Sequence, residues 1–183
     1  MKICLTGGIA CGKSLLSFYL NELGVETLDA DDIVHELIPD DERRKLAKTV
    51  FSDPSARKAL EAKIHPLVKA RLDAFLSGPA SALRIAVVPI LFEVHWEENF
   101  DIICCIASPR EVQIARMIET RGYSREEAEA RLNAQMDVDE KAARSHYVIR
   151  NTGSAEELRE RAAEFVSWLR EKRRNSKDPQ EKK

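Results

Sequence analysis

Near the N-terminus, Gly7-Gly8-Ile9-Ala10-Cys11-Gly12-Lys13-Ser14 fits the spacing G-x-x-x-x-G-K-[ST]. The chemistry of that spacing is phosphate binding, and each part has a physical role. An apolar stretch, Ile3 to Thr6, runs into the loop, and an amphipathic stretch beginning at Lys13 leaves it. Backbone N–H groups then converge at the positive end of a helix, where an anion is stabilised. Gly7 and Gly12 allow backbone conformations and a close phosphate approach that a side chain would block. Lys13 is placed to reach β- and γ-phosphates, and the Ser14 hydroxyl to join a Mg²⁺ shell. The ligand expected from these residues is a nucleoside triphosphate with magnesium.

A second cluster is acidic. Leu28-Asp29-Ala30-Asp31-Asp32 follows the apolar run Val25 to Leu28. Carboxylates at the end of a strand hold a metal or take the proton of an attacking hydroxyl. Helix capping accounts for one of the three and leaves two for other work. Val87-Val88-Pro89-Ile90-Leu91-Phe92-Glu93 ends a later strand in the same way and offers Glu93 as a ligand contact. Between Arg110 and Arg131 lie Arg110, Arg116, Arg121, Arg125 and Arg131, with five glutamates among them. Many of these charges pair along solvated helix faces. Arginines on a closing flap are also what neutralises charge in phosphoryl transfer. Cys11 has two readings, a thiol activated by Lys13 and the helix end, or a small residue filling the loop; the second is preferred.

These groups need a scaffold that brings them to one edge. Five short apolar runs read as strands: residues 3–6, 25–28, 84–88, 101–106 and 147–149. Their apolarity is continuous rather than alternating, which predicts strands buried on both faces in a parallel sheet. Leu15, Leu16, Tyr19, Leu20 and Leu23 mark a helix that Gly24 stops. Leu158, Ala162, Phe165, Val166 and Leu169 mark another, starting from Ser154 with Glu157 three residues on. Residues 40–77 read as helical with interruptions at Asp53-Pro54 and His65-Pro66, and residues 109–145 as helical with a turn near Gly122. The fold class is α/β, a five-stranded parallel sheet with two helical excursions.

Composition narrows the possibilities further. The 183 residues are 44% hydrophobic and 33% charged, which describes a globular chain rather than a disordered one. No apolar run approaches the roughly 18 residues of a membrane span, and no signal peptide opens the chain, so a cytoplasmic protein is expected. The net charge of -2 argues against a nucleic-acid binder. Segment 170–183 alone carries +4, so the body is acidic and must hold phosphates with a few placed cations. Cys4, Cys11, Cys104 and Cys105 form no C-x-x-C pair and read as reduced core residues.

Taken together, the motifs resemble those of the dephospho-CoA kinase family. The resemblance runs from Leu5-Thr6-Gly7-Gly8-Ile9 through Asp29-Ala30-Asp31, Val50-Phe51, Leu60-Glu61, His65-Pro66 and Pro89-x-Leu91-Phe92-Glu93. It continues through Gln113-x-x-Arg116, Arg125-Glu126-Glu127-Ala128 and Gln135 to Val148-Ile149-x-Asn151. It implies a three-layer P-loop NTPase fold, like the nucleoside-monophosphate kinases, within a single domain over 1–172. The core would comprise 1–32, 80–112 and 146–172, with an acceptor-binding insertion at 33–79 and a lid at 113–145. A basic disordered tail would follow at 173–183. The implied reaction moves the ATP γ-phosphoryl group to the ribose 3′-hydroxyl of dephospho-CoA, giving CoA and ADP, and a monomer is expected. A related kinase for another nucleotide or nucleoside, or a non-catalytic ATP-binding regulator, is the alternative.

Residue roles follow from the same resemblance. Asp31, Lys13 and Arg121 would be catalytic, with Asp31 as general base. Gly8, Ile9, Ala10, Cys11, Gly12, Lys13, Ser14, Leu15 and Asn151 would bind ATP, with Ser14 toward Mg²⁺. Asp31, Arg43, His65, Pro89, Leu91 and Glu93 would bind the acceptor, and Arg116, Arg121 and Lys141 would serve the lid.

The chain departs from the family pattern in three places. Only Ile38-Pro39-Asp40-Asp41 stand where a longer acceptor segment is usual. Thr120 occupies a lid arginine position, with Arg121 one residue on, a shift of about 100° on a helix. Ala10-Cys11 replaces Gly-Ser in the phosphate loop.

Overall fold

The computed structural model describes residues 1–38, 54–79 and 81–177. Five strands form one parallel sheet: β1 (Ile3–Gly7), β2 (Val25–Asp29), β3 (Leu83–Val87), β4 (Ile102–Ala107) and β5 (Tyr147–Arg150). Their spatial order is β2-β3-β1-β4-β5, with β1 at the centre. Leu5 pairs with Val87 on one side and with Cys104 on the other. The central strands β1 and β4 are buried along their whole length, whereas edge strands β2 and β5 are partly exposed. Every strand expected from the sequence is present, with ends shifted by no more than about one residue.

Continuous apolarity has the expected cause, because alternate residues enter different cores. Ile3, Leu5, Ile85, Val87 and Cys104 pack on one face with Leu16, Leu20, Phe165 and Leu169. Those last four come from α1 (Lys13–Glu22) and the C-terminal helix α7 (Ala155–Lys177). Cys4, Ala86 and Ile103 face the other way, against Ile33, Val68, Leu72 and Phe92. Helices α2 (Ala30–Leu37) and α3 (Pro54–Leu76) supply that second layer. All four cysteines are buried free thiols. Burial pushes the Cys4 and Cys104 thiols far up, and Cys105 to about 12. They behave as small apolar residues.

Between β4 and β5 the chain makes three short helices: α4 (Arg110–Arg121), α5 (Arg125–Asn133) and α6 (Val138–Ala143). Gly122, with φ 66°, ends α4 in the left-handed conformation. Ser124 and Glu127 then open α5 with a reciprocal capping box. Ser154 caps α7 as its spacing predicts, its hydroxyl accepting from the Glu157 amide at 3.2 Å.

Two expectations are corrected here. His65-Pro66 does not interrupt the helix; α3 continues through Pro66. The carbonyl deprived of a donor belongs to exposed Ala62, where solvent serves it, while Val68 and Leu72 anchor the following turns in the core. The helix α7 extends to Lys177, past residue 173 where the tail was expected to begin. Arg173 contributes there by donating to the Ser81 carbonyl at 3.3 Å. No described helix is long and apolar enough to cross a membrane.

Phe165 is fully buried, with ring centroids 4.8 Å from Tyr147 and 6.1 Å from Trp168. Phe165→Ala should lower unfolding free energy by about 3–5 kcal/mol in a denaturant titration, through lost burial and the cavity left behind.

Candidate active site

The loop from β1 to α1 lies at the carboxyl edge of the sheet, beside the point where chain connections diverge to left and right of β1. Its conformation is demanding. Gly7, Ala10 and Gly12 have φ of 151°, 57° and 96°. A Cβ on Gly7 would lie 2.3 Å from the Ile106 carbonyl oxygen, and one on Gly12 2.5 Å from Asn151 Nδ2. Glycine is therefore required at both positions. Ala10 takes a left-handed backbone without that freedom, a strain of order 1 kcal/mol.

Three successive loop carbonyls are held from behind. Gln113 Nε2 donates to the Ile9 oxygen at 2.7 Å, Arg116 Nη1 to Ala10 at 3.3 Å, and Asn151 Nδ2 to Cys11 at 2.9 Å. Arg116 also reaches Ser108 Oγ at 3.0 Å and the Asn151 carbonyl at 3.2 Å, and Ser108 donates to that same carbonyl at 2.7 Å. With carbonyls satisfied on one side, the loop amides are left for an anion on the other. Lys13 Nζ bonds the Gly7 and Gly8 carbonyls at 3.0 and 2.8 Å, which fixes the ammonium across the loop mouth. Burial lowers its pKa, as does the nearby charge of Lys141, while Cys11, Asp29 and Asp31 act in the opposite sense.

In front of the loop is a cleft of about 450 Å³. Lys13 and Ser14 form one wall, Asp29 and Asp31 another, and Thr120 and Arg121 a third, with Pro89 and Gln135 completing it. Asp29 caps α2 by accepting from the Asp31 amide at 2.9 Å. Burial raises the Asp29 pKa, partly offset by that amide. Asp31 follows in the first turn and is exposed. One carboxylate thus builds the turn and leaves the other for a ligand. The displaced lid arginine also has a physical resolution. The helix α4 ends at Arg121, so Thr120 and Arg121 both face the cleft. Thr120 Oγ1 donates to the Arg116 carbonyl at 2.6 Å, and Arg121 has no hydrogen-bond or ion-pair partner among the described residues.

Comparison with known proteins identifies this architecture. The family model for dephospho-CoA kinase matches residues 1–42 and 40–157. The chain belongs to the dephospho-CoA kinase family. A relative from Symbiobacterium thermophilum, named dephospho-CoA kinase, is 39% identical over 91% of this chain and 79% of its own length. One from Thermus thermophilus, of the same name, is 38% identical over 90% and 89%. Among solved structures, TT1252 from Thermus thermophilus superposes with a TM-score of 0.79 at 36% identity, covering 92% of this chain and 97% of that one. The dephospho-CoA kinase from Campylobacter jejuni gives 0.68 at 26% identity, covering 92% and 98%. A shikimate kinase from Acinetobacter baumannii, at 0.55 and 16% identity over 93% of both chains, shares the fold. The family match divides at residues 40–42, the place where the chain is short of the family pattern.

Against the family pattern, the expected site residues fall into distinct places. Ile9, Ala10, Gly12, Lys13, Ser14, Leu15, Asp31, Pro89, Arg116 and Arg121 meet at the cleft. Gly8 is buried behind it, where a Cβ would lie 2.4 Å from Gln113 Nε2. Cys11 is fully buried beside Ser108, and burial pushes its thiol pKa up, so it is packing rather than a reactive group. Asn151 is nearly buried and touches the loop backbone.

The acceptor and lid residues are more dispersed. Leu91 is fully buried in the second core and does not line the cleft. Glu93 and Lys141 bond each other at 2.7 Å, with Lys141 fully buried rather than presented by a mobile flap. His65 packs edge-on against Trp96, ring centroids 5.4 Å apart, away from the cleft lining. Arg43 lies outside the described residues.

Ser108 and the loop-holding role of Gln113 escape a reading by motif. The available signal is Gln113 three residues before Arg116, which puts both on one helix face. Gly12→Ala should weaken ATP binding at least tenfold by calorimetry, since its Cβ displaces Asn151 and its φ disfavours any side chain.

Proposed function

We propose that this protein transfers the γ-phosphoryl group of ATP to the ribose 3′-hydroxyl of dephospho-CoA. Membership of the family supports the substrate pair, and one observation carries the mechanism: Lys13 and Asp31 line the same cleft from opposite elements. The amides of residues 8–14 and the positive end of α1 hold the phosphates. Lys13 spans the transferred group, and its ammonium is most valuable where burial has stripped away water. Asp31 receives the proton of the 3′-hydroxyl as its oxygen bonds to the γ-phosphorus. The bond from that phosphorus to the β,γ-bridging oxygen breaks, and ADP leaves. Arg121, at the end of α4 and without another partner, is the cation available to the equatorial oxygens.

Magnesium fits the donors present. Among the described residues no cluster of three or more His, Cys, Asp or Glu forms a protein cage. Mg²⁺ with ATP does not require one, since phosphates and water supply most of its shell. Ser14, exposed at the start of α1, would hold it from the protein side, with Asp29 and Asp31 across the cleft. When bound, it neutralises charge shared by the β- and γ-phosphates.

On the acceptor side, the insertion at 33–79 and the lid at 113–145 would enclose dephospho-CoA, with Pro89 toward it and His65 held against Trp96 outside the cleft lining. The shortened segment near residues 38–41 leaves α3 and the β3 exit to carry more of that contact.

Two tests separate the roles. Asp31→Asn should reduce kcat at least 100-fold while ATP affinity stays within about twofold, whereas Lys13→Ala should weaken both. Near-normal kcat in Asp31→Asn would refute the base assignment. Arg121→Ala should lower kcat about 10–100-fold with acceptor KM little changed; unaltered kcat would place that arginine in solvent throughout turnover. Measuring ADP release with dephospho-CoA, AMP, nucleosides or no acceptor checks the substrate.

A further inference from the structure

The geometry points to Lys141 as a positioning residue for phosphoryl transfer, acting as one unit with the part-buried Glu93; this rests on the reading above. Lys141 is fully buried, unlike the other lysines described, and lies on α6, outside the cleft lining. Its ammonium bonds Glu93 Oε1 at 2.7 Å and the Pro89 carbonyl at 2.8 Å. Pro89 lines the cleft, and its carbonyl accepts also from Thr6 Oγ1 at 3.3 Å. Glu93 Oε1 accepts in turn from the Met136 amide at 3.1 Å, and Met136 adjoins cleft residue Gln135. The pair therefore ties the exit of β3 to the return from α5, and through the shared Pro89 carbonyl to Thr6 near the end of β1.

Stability alone does not account for this arrangement. Removing two charges from water costs about as much as their attraction returns, so a buried pair is a poor stabiliser compared with apolar packing. Here the cost is raised further, because Glu93 Oε2 is buried without a hydrogen-bond partner. What the pair does supply is direction. The Lys141 ammonium is held by two acceptors in the turn that leaves β3, the Pro89 carbonyl and Glu93 Oε1, and Glu93 Oε1 is tied in turn to the Met136 amide after α5. The Pro89 part of the cleft lining is thereby set from behind, and a displacement of about 1 Å at such a wall is enough to cost 100-fold in rate.

The test separates position from stability. Lys141→Met leaves the part-buried Glu93 without its cation and should lower Tm by about 5–10 °C together with kcat. Glu93→Gln combined with Lys141→Met removes both charges at nearly constant volume and should return Tm to within about 3 °C of the parent. Its kcat should nevertheless remain at least tenfold low, with KM for ATP within about twofold, because the Pro89 carbonyl has lost its shorter donor and keeps only Thr6. Lys141→Arg, which restores charge and donors, should recover kcat relative to Lys141→Met. If the double variant fails to fold, that recovery decides the matter. Full kcat in the double variant, or no recovery in Lys141→Arg, would overturn the inference. A crystal structure of the double variant reads the same wall without turnover: Pro89 unmoved overturns it, and Pro89 displaced by about 1 Å supports it. A parent protein inert toward dephospho-CoA would instead sink the functional reading, with the crystal structure still deciding this one.

Discussion

The structure depends on one constraint: a loop that offers its amides to phosphate must have its carbonyls satisfied elsewhere. Buried peptide groups cannot go unpaired without cost, and this loop leaves a central strand with buried chain on both sides. Gln113, Arg116 and Asn151 solve that problem from behind, each taking one carbonyl. They come from α4 and from the end of β5, elements far away in sequence. The loop, the helix after β4 and the final strand are thus one mechanical unit. The loop conformation and the placement of α4 are coupled by hydrogen bonds rather than by proximity alone.

The sheet makes this unit possible by its order. With β1 between β3 and β4, the loop after β1 emerges where both neighbours also end. Asp29 and Asp31 arrive from β2, Pro89 from β3, and Ser108 from β4, all at one edge. Parallel strands place every such exit on the same side, which is why an α/β sheet concentrates chemistry at its carboxyl end. Apolar side chains on both faces keep that edge rigid.

Charge is used sparingly and by position. The chain is slightly acidic overall, yet Lys13, Arg116 and Arg121 all line the cleft. Each has a different environment. Lys13 is held by loop carbonyls, Arg116 is spent on fixing backbone, and Arg121 is left unpartnered at a helix end. Lys141 is the reverse case, a cation taken wholly inside and matched by Glu93. A cation is therefore left open to the cleft, spent on backbone carbonyls or buried against a carboxylate according to which acceptors surround it.

The amino-acid sequence by itself determined the sheet and the phosphate loop. Both are local: continuous apolar runs specify doubly buried strands, and the glycine, lysine and serine spacing specifies a strand–loop–helix turn. The same holds for the Ser154 cap and for Asp29 and Asp31 at the end of β2. Tertiary structure decided what depends on partners distant in the chain. Pro66 lies within a helix because solvent serves the freed carbonyl of Ala62 and the core holds Val68 and Leu72. Arg121 faces the cleft because Gly122 ends α4 one residue later. Leu91, Glu93, Lys141 and Asn151 are recognisable in sequence as family positions, yet their directions are set by packing. A motif records residue type and spacing; whether a side chain meets ligand, backbone or an opposite charge depends on which surface folds against it.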